Sequence, residues 1–133
     1  MKFLHVTDLH ARRRWFTWIA ENAHRYDAVA ITGDLVDIFS PEPLDSQVEW
    51  IGDWARTVRR SFFVCEGNHE ADAVSAGEID RAWLATLPGA VEFDDDGRAE
   101  VSGQTFVRVG WKGAVPALRP GDNHPFHPHH RAG

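Results

Sequence analysis

The chain has 133 residues, enough for one domain with a hydrophobic core but not for two. Hydrophobic residues make up 43% of it, so the chain as a whole is not disordered. Its formal charge of -6 argues against a protein that coats nucleic acid, because affinity for phosphate backbones depends on lysine and arginine. A single cysteine, Cys65, excludes an internal disulfide.

The first ten residues, MKFLHVTDLH, carry one basic residue before a short apolar stretch that Asp8 interrupts. Signal peptides and membrane spans need longer apolar runs than this. We therefore expect a cytoplasmic protein with no membrane partner.

Strand-like and helix-like patterns then alternate along the chain. Apolar runs predict three strands, at residues 3–7, 28–32 and 61–65. Helical spacing predicts a helix over roughly residues 12–25, a second one capped by Ser46 with Glu49, and a third one capped by Ser75 with Glu78 that ends at Pro88. This alternation favours an α/β fold with a parallel sheet.

The later part of the chain follows a different pattern. The run Asp94-Asp95-Asp96-Gly97 predicts a solvated turn, because the alternating ligand spacing of a calcium loop is missing. Residues 98–101 and 105–109 flank Ser102-Gly103-Gln104, which predicts a hairpin. Proline and glycine break the pattern beyond Gly110. We expect a folded core over residues 1–110 and an irregular tail rich in proline, glycine and histidine over residues 111–133.

Polar side chains follow each of the three predicted strands, in the stretches DLH (8–10), GDLVD (33–37) and GNHE (67–70). The carboxyl ends of parallel strands share one edge of a sheet, where ligands bind. We therefore expect five side chains to converge there: Asp8, His10, Asp34, Asn68 and His69. The alternative interpretation is that these are polar turns that only cap the strands.

Carboxylates, an imidazole and an amide oxygen together suit divalent ions of intermediate hardness. Two such ions, about 3.5–4 Å apart, can activate a water and neutralise a phosphate ester. A nearby imidazole can protonate the leaving group or stabilise charge on the phosphoryl oxygens. Glycines such as Gly33 and Gly67 would keep side-chain bulk away from the ions.

Taken together, DLH, GDLVD and GNHE resemble the first three motifs of the calcineurin-like metallophosphoesterases, over residues 1 to about 110. The resemblance implies an α/β/β/α sandwich, here incomplete in its second half. It also implies a dinuclear centre of two divalent ions, with manganese, iron and zinc as the candidates.

The same resemblance implies a role for each matching residue. Asp8 and His10 would bind the first metal, Asp34 would bridge, and Asn68 would bind the second metal. His69 would be the catalytic imidazole, and Asp37 would orient and charge it, since an imidazole needs a partner that sets its tautomer. Glu70, the last residue of GNHE, would support the loop.

Two features depart from the family pattern. Ile38 occupies the place of an arginine in the family's Ser/Thr protein phosphatases, which argues against that subclass. The GHxH motif of the family's second half is missing, and the tail instead contains His124, His127, His129 and His130. These histidines either substitute for the missing ligands or belong to an incomplete or displaced sequence.

Other residues have simpler interpretations. We expect His5 to be a packed, hydrogen-bonded core histidine, and the tryptophans on the helices to pack in the core, because no basic groove accompanies them as in a base-stacking surface. Arg12-Arg13-Arg14 either helps to hold a phosphate or forms a solvated helical turn.

These observations predict metal-dependent hydrolysis of phosphomonoesters or phosphodiesters, with a small molecule as substrate. The alternative is a truncated, weak or inactive relative that acts as a metal-binding or interaction module. A nuclease is disfavoured by the acidic composition. We also expect self-association, because residues 90–110 supply few strands to cover the inner face of the sheet.

Overall fold

The structure, a computed structural model, describes residues 2–108. Its centre is a parallel sheet in the order β1-β2-β3, formed by Phe3–Val6 (β1), Ala28–Thr32 (β2) and Ser61–Cys65 (β3). Leu4, Val29 and Phe62 align across the three strands and point to one face, because successive side chains of a strand alternate between faces. The predicted α/β fold with a parallel sheet is confirmed.

Two helices, Arg13–Asn22 (α1) and Leu44–Ala55 (α2), cover that face of the sheet. Phe16 of α1 meets the ring of Trp54 of α2 edge to face, with ring centroids 4.9 Å apart. The indole nitrogen of Trp54 donates a hydrogen bond of 2.6 Å to the Phe16 carbonyl, so this buried tryptophan keeps a polar partner. These contacts lock the two helices together over the sheet.

The opposite face of the sheet is covered by an antiparallel hairpin of Arg98–Val101 (β4) and Gln104–Val107 (β5). Ser102 and Gly103 join its strands with φ angles of 53° and 78°, as a two-residue turn with two positive φ values requires. Phe106 packs on Phe63 of β3, with ring centroids 4.5 Å apart. The predicted hairpin is confirmed.

This cover extends only partly over β1. Phe3 touches the edge of the Phe106 ring, at 6.0 Å between centroids, and yet remains 45% exposed. The expected self-association through this face stays a prediction.

The third predicted helix is wrong in position. Helix α3 spans Asn68–Ser75 and begins inside the GNHE stretch, while residues 81–86 form turns. The Asp80 carboxylate accepts a hydrogen bond from the Ala82 amide, a contact found at turns and at helix starts alike, and the backbone of residues 81–86 continues as turns. Trp83 and Leu87 are nevertheless buried, so the apolar pattern reported burial correctly but not helical structure.

Two further expectations need correction. Helix α2 begins at Leu44 behind Pro43, whose backbone is already suited to a helix start, and the Ser46 hydroxyl instead donates to the Glu42 carboxylate. Trp15 and Trp18 are exposed rather than in the core, because α1 presents Phe16 and Ile19 to the sheet.

His5 is hydrogen-bonded as expected, with its Nε2 atom 2.8 Å from the Thr32 hydroxyl, but the expected core position is wrong, because the residue is exposed on the edge strand β1. Partial burial lowers the pKa of its imidazole. Among residues 2–108, no helix is both long and apolar enough to cross a membrane. The four tail histidines and the proposed boundary at residue 110 lie outside this described range.

Candidate metal centre

The loops that follow β1 and β2 are joined along their backbones. The amides of Asp8, His10 and Ala11 donate hydrogen bonds of 3.2, 2.8 and 2.7 Å to the carbonyls of residues 33, 34 and 35 respectively. Because β1 and β2 are parallel neighbours, both loops leave the same edge of the sheet. The convergence expected for the DLH and GDLVD stretches is therefore present.

Both loops contain residues in the left-handed region of backbone conformation. Asp8, His10 and Asp34 have φ angles of 57°, 47° and 56°, and Ala11 has 55°. Such conformations cost about 1–3 kcal/mol each and persist only where the surroundings enforce them. The backbone hydrogen bonds between the loops supply that enforcement and aim the side chains of Asp8, His10 and Asp34.

The GNHE loop reaches the same edge through Asp34. The Asp34 carboxylate is buried, and its Oδ1 atom accepts a hydrogen bond of 3.0 Å from the His69 amide. A Cβ atom at Gly67 would overlap Oδ1 of Asp34 and lie 2.6 Å from the Asp34 backbone nitrogen. Since Gly67 has an ordinary φ of -105°, the position needs glycine for space rather than for conformation.

A second tie between these loops is the carboxylate of Glu70, which is fully buried. One of its oxygens accepts hydrogen bonds from the amides of Asp34 (2.7 Å) and Gly67 (2.8 Å). The other oxygen accepts one from the amide of Val36 at 3.1 Å. Glu70 thereby holds the GDLVD and GNHE loops in register.

Burial raises the pKa of the Glu70 carboxyl to about 7, the nearby Asp34 carboxylate adds to the rise, and the three amide donors oppose it. Sequence reasoning gave Glu70 only a supporting place in its loop. A stronger signal was available, because a glutamate three residues after a helix N-cap commonly accepts from the N-cap amide, here that of Gly67.

Two imidazoles lie beside these loops. The ring centroids of His10 and His69 are 4.6 Å apart, and Nε2 of His10 is 3.7 Å from Oδ1 of Asp8. Asp37, which was expected to orient His69, has its Oδ1 atom 3.8 Å from Nδ1 of His69, too far for a hydrogen bond. That oxygen instead accepts from the Phe39 amide at 2.9 Å.

The hydrogen-bond partner of Nδ1 of His69 is the Ile38 amide, at 3.2 Å. A backbone N–H can only donate a hydrogen bond, so Nδ1 acts as the acceptor and the proton of the neutral ring resides on Nε2. The backbone of the loop therefore sets the tautomer of His69, a role that was predicted for the Asp37 carboxylate.

Two groups of side chains offer ligand atoms that lie within 4.8 Å of one another: Asp8, His10 and Asp34, and His10, Asp37 and His69. His10 belongs to both groups. Mixed carboxylate and imidazole donors suit a divalent transition metal, and the absence of a side chain at Gly67 leaves the space that the Asp34 carboxylate occupies. The donor set thus fits a metal centre.

Asn68, the remaining predicted ligand, is half-buried at the first position of α3, directly before His69. The arginines after the DLH stretch are less available than a phosphate-binding role requires. Arg13 pairs with Glu42 at 3.2 Å and stacks over Trp50, and Arg14 stacks over Trp15. These contacts favour the interpretation as an ordinary helix start.

Gly67→Ala tests the close approach of the two loops. We expect the added methyl group to displace Asp34, to cost roughly 1–3 kcal/mol in the free energy of unfolding, and to weaken Mn²⁺ binding. Gly52→Ala is the matched control, because Gly52 lies in α2 and a Cβ atom there meets nothing within 4 Å. Since alanine is a better helix former than glycine, this change should stabilise the protein by about 0.5–1 kcal/mol. Urea unfolding and calorimetry measure both effects, and equal Mn²⁺ affinity in the two variants would contradict the packing argument.

Glu70→Gln tests the buried carboxylate. Its new amide group would direct a donor at a backbone N–H, which leaves a buried donor unsatisfied and should cost about 1–3 kcal/mol. Urea unfolding of metal-free protein well above pH 7 measures the loss, with the exposed Glu78→Gln as a control expected within about 0.5 kcal/mol of wild type. An unchanged stability of Glu70→Gln would show that the carboxylate does not hold the loops.

Comparison with known proteins agrees with this geometry. The sequence matches the family model described as calcineurin-like phosphoesterase over residues 1–126. No curated protein matches the chain significantly. The family match covers most of the chain, including the three loops that converge at the sheet edge. This protein therefore belongs to the calcineurin-like phosphoesterase family.

Proposed function

We propose that the protein hydrolyses phosphoesters at a dinuclear metal centre held by Asp8, His10, Asp34 and Asn68. The observation that carries the proposal is the potential ligand group of Asp8, His10 and Asp34 on the carboxyl edge of the parallel sheet. Family membership supports the reaction class. Manganese, iron and zinc all suit these donors.

Divalent ions bound there would neutralise phosphoryl oxygens and make a coordinated water more acidic. Asp34 suits a bridging position, because its carboxylate is buried at the point where all three loops meet. Asp8 and His10 flank it from the loop that follows β1. The loops thus arrange the carboxylates before any ligand arrives.

His69 is the group proposed to act on the substrate. With Nδ1 accepting from the Ile38 amide, the neutral ring carries its hydrogen on Nε2, which can donate a hydrogen bond to a leaving-group or phosphoryl oxygen and stabilise the negative charge that develops there. Because His69 and Asp37 also belong to a potential ligand group with His10, the experiments must separate catalysis from metal binding.

Asp34→Asn should weaken Mn²⁺ or Zn²⁺ binding more than substitution of the other proposed ligands, because a bridging carboxylate contributes charge to both ions. Titration calorimetry on the full chain measures affinity and stoichiometry. Asp53→Asn, at an exposed position on α2 paired with Arg56, is the control and should bind as wild type does. Equal affinity in wild type and Asp34→Asn would remove Asp34 from the site.

His69→Ala should lower turnover of p-nitrophenyl phosphate or its bis ester roughly 10²–10⁴-fold while metal stoichiometry is retained. Asp37→Asn should give a smaller loss, and the exposed His24→Ala should give none. A fall in stoichiometry in His69→Ala would make His69 a ligand instead, and unchanged turnover would exclude it from the reaction.

Metal binding without turnover of either ester by the wild-type protein would favour the alternative function, a metal-binding or interaction module. The proposed cytoplasmic location is independent of that outcome, whereas the proposed small-molecule substrate depends on turnover.

A further inference from the structure

One aromatic side chain beside the proposed site is exposed in an unusual way. Phe39 is 82% exposed, the highest value among the large hydrophobic residues in the described part of the chain. Its ring stands edge to face with that of His69, at 5.5 Å between centroids and 89° between planes. An exposed apolar ring is therefore held next to the imidazole proposed to act on the leaving group.

The loop that carries Phe39 is held by several hydrogen bonds. Gln47, fully buried on α2, accepts from the Asp37 amide at 2.8 Å and donates to the carbonyls of Asp37 (3.0 Å) and Glu42 (2.8 Å). The Phe39 amide donates to the Asp37 carboxylate at 2.9 Å. The backbone at both ends of the loop is thus anchored, and the exposed ring starts from an ordered support.

Packing does not explain this residue. A phenylalanine that is 82% exposed contributes little to the core, and its removal should leave stability nearly unchanged. A ring needed only to orient His69 would gain by being covered on its other side, whereas most of its surface here is free. The position suits contact with a bound molecule.

We propose that Phe39 forms the apolar wall of the substrate site and selects phosphoesters whose ester group carries a planar aromatic ring. The phosphate would lie at the metal ligands, and the ring of the ester group would pack on Phe39 beside His69. Stacking of an aromatic group on an aromatic side chain is favourable and tolerant of the ring's identity. This inference rests on the proposed hydrolysis and specifies its substrate class.

Paired ligands that differ only in the ring test the proposal by binding. Phenylphosphonate and methylphosphonate cannot be hydrolysed as esters, so calorimetry with Mn²⁺-loaded protein reports affinity alone. We expect the phenyl compound to bind wild type more tightly, and Phe39→Ala to lose roughly 5- to 150-fold in affinity for it with little change for the methyl compound. Phe39→Leu should lose part of the difference, because it keeps apolar volume but not the ring.

Phe3→Ala is the matched control, because Phe3 is the next most exposed phenylalanine among residues 2–108 and begins β1, away from the carboxyl edge. It should keep the phenyl preference. A second pair, the non-hydrolysable 5′-methylenephosphonates of adenosine and ribose, distinguishes a nucleobase from a directly attached aryl group. The pair whose difference depends on Phe39 identifies the ester group.

Each outcome has a distinct meaning. Equal affinity of wild type for the ligands with and without a ring, in both pairs, would overturn the aromatic selectivity while the proposed hydrolysis stands. Equal losses of affinity for both ligands of a pair in Phe39→Ala would also overturn it, and would make Phe39 a positioning residue for His69. Failure of every phosphonate to bind the metal-loaded protein would instead overturn the proposed function, and this inference with it.

Discussion

The carboxylate of Glu70 accepts hydrogen bonds from the amides of Asp34, Val36 and Gly67, and the geometry of the proposed site follows from that contact. Buried backbone donors need acceptors, and loops at a strand end have no ladder to supply them. One buried side chain meets three such needs in two loops, and it lies 36 residues after Asp34 and 34 residues after Val36 in sequence. The His69 amide can then reach the Asp34 carboxylate.

Other features depend on the same close approach. Gly67 must lack a side chain because Asp34 occupies that space, and the left-handed backbone of Asp8, His10 and Asp34 is tolerated because the loops are hydrogen-bonded to one another. The hydrogen bonds between the loops compensate for this backbone strain, and they contribute little to the hydrophobic core. Site geometry in this protein is set by backbone hydrogen bonds before side chains meet a metal or substrate.

Polar burial in the described part of the chain is concentrated around these loops. Of its six buried polar residues, four serve them: Asp34, Gln47, His69 and Glu70. Each of the four has a hydrogen-bond partner, as buried polar groups require. Gln47 forms hydrogen bonds with the backbone of the loop that presents Phe39. One network of buried polar residues therefore links the proposed metal ligands to the proposed aromatic wall.

Sequence alone determined the parallel sheet and the convergence of Asp8, His10 and Asp34 near His69, because apolar runs specify strands and parallel strands end at one edge. Family motifs supplied expected roles that geometry only partly tests. Sequence could not place α3, since an apolar stripe at residues 79–87 reports burial whether or not the backbone is helical. Only the tertiary structure revealed the hydrogen bonds that Glu70 accepts from two loops, the Ile38 amide as the hydrogen-bond partner of His69, and the exposed ring of Phe39. The contacts of Glu70 with Asp34 and Val36 and of His69 with Ile38 join residues 31 to 36 positions apart in sequence, and local patterns carry no information about them.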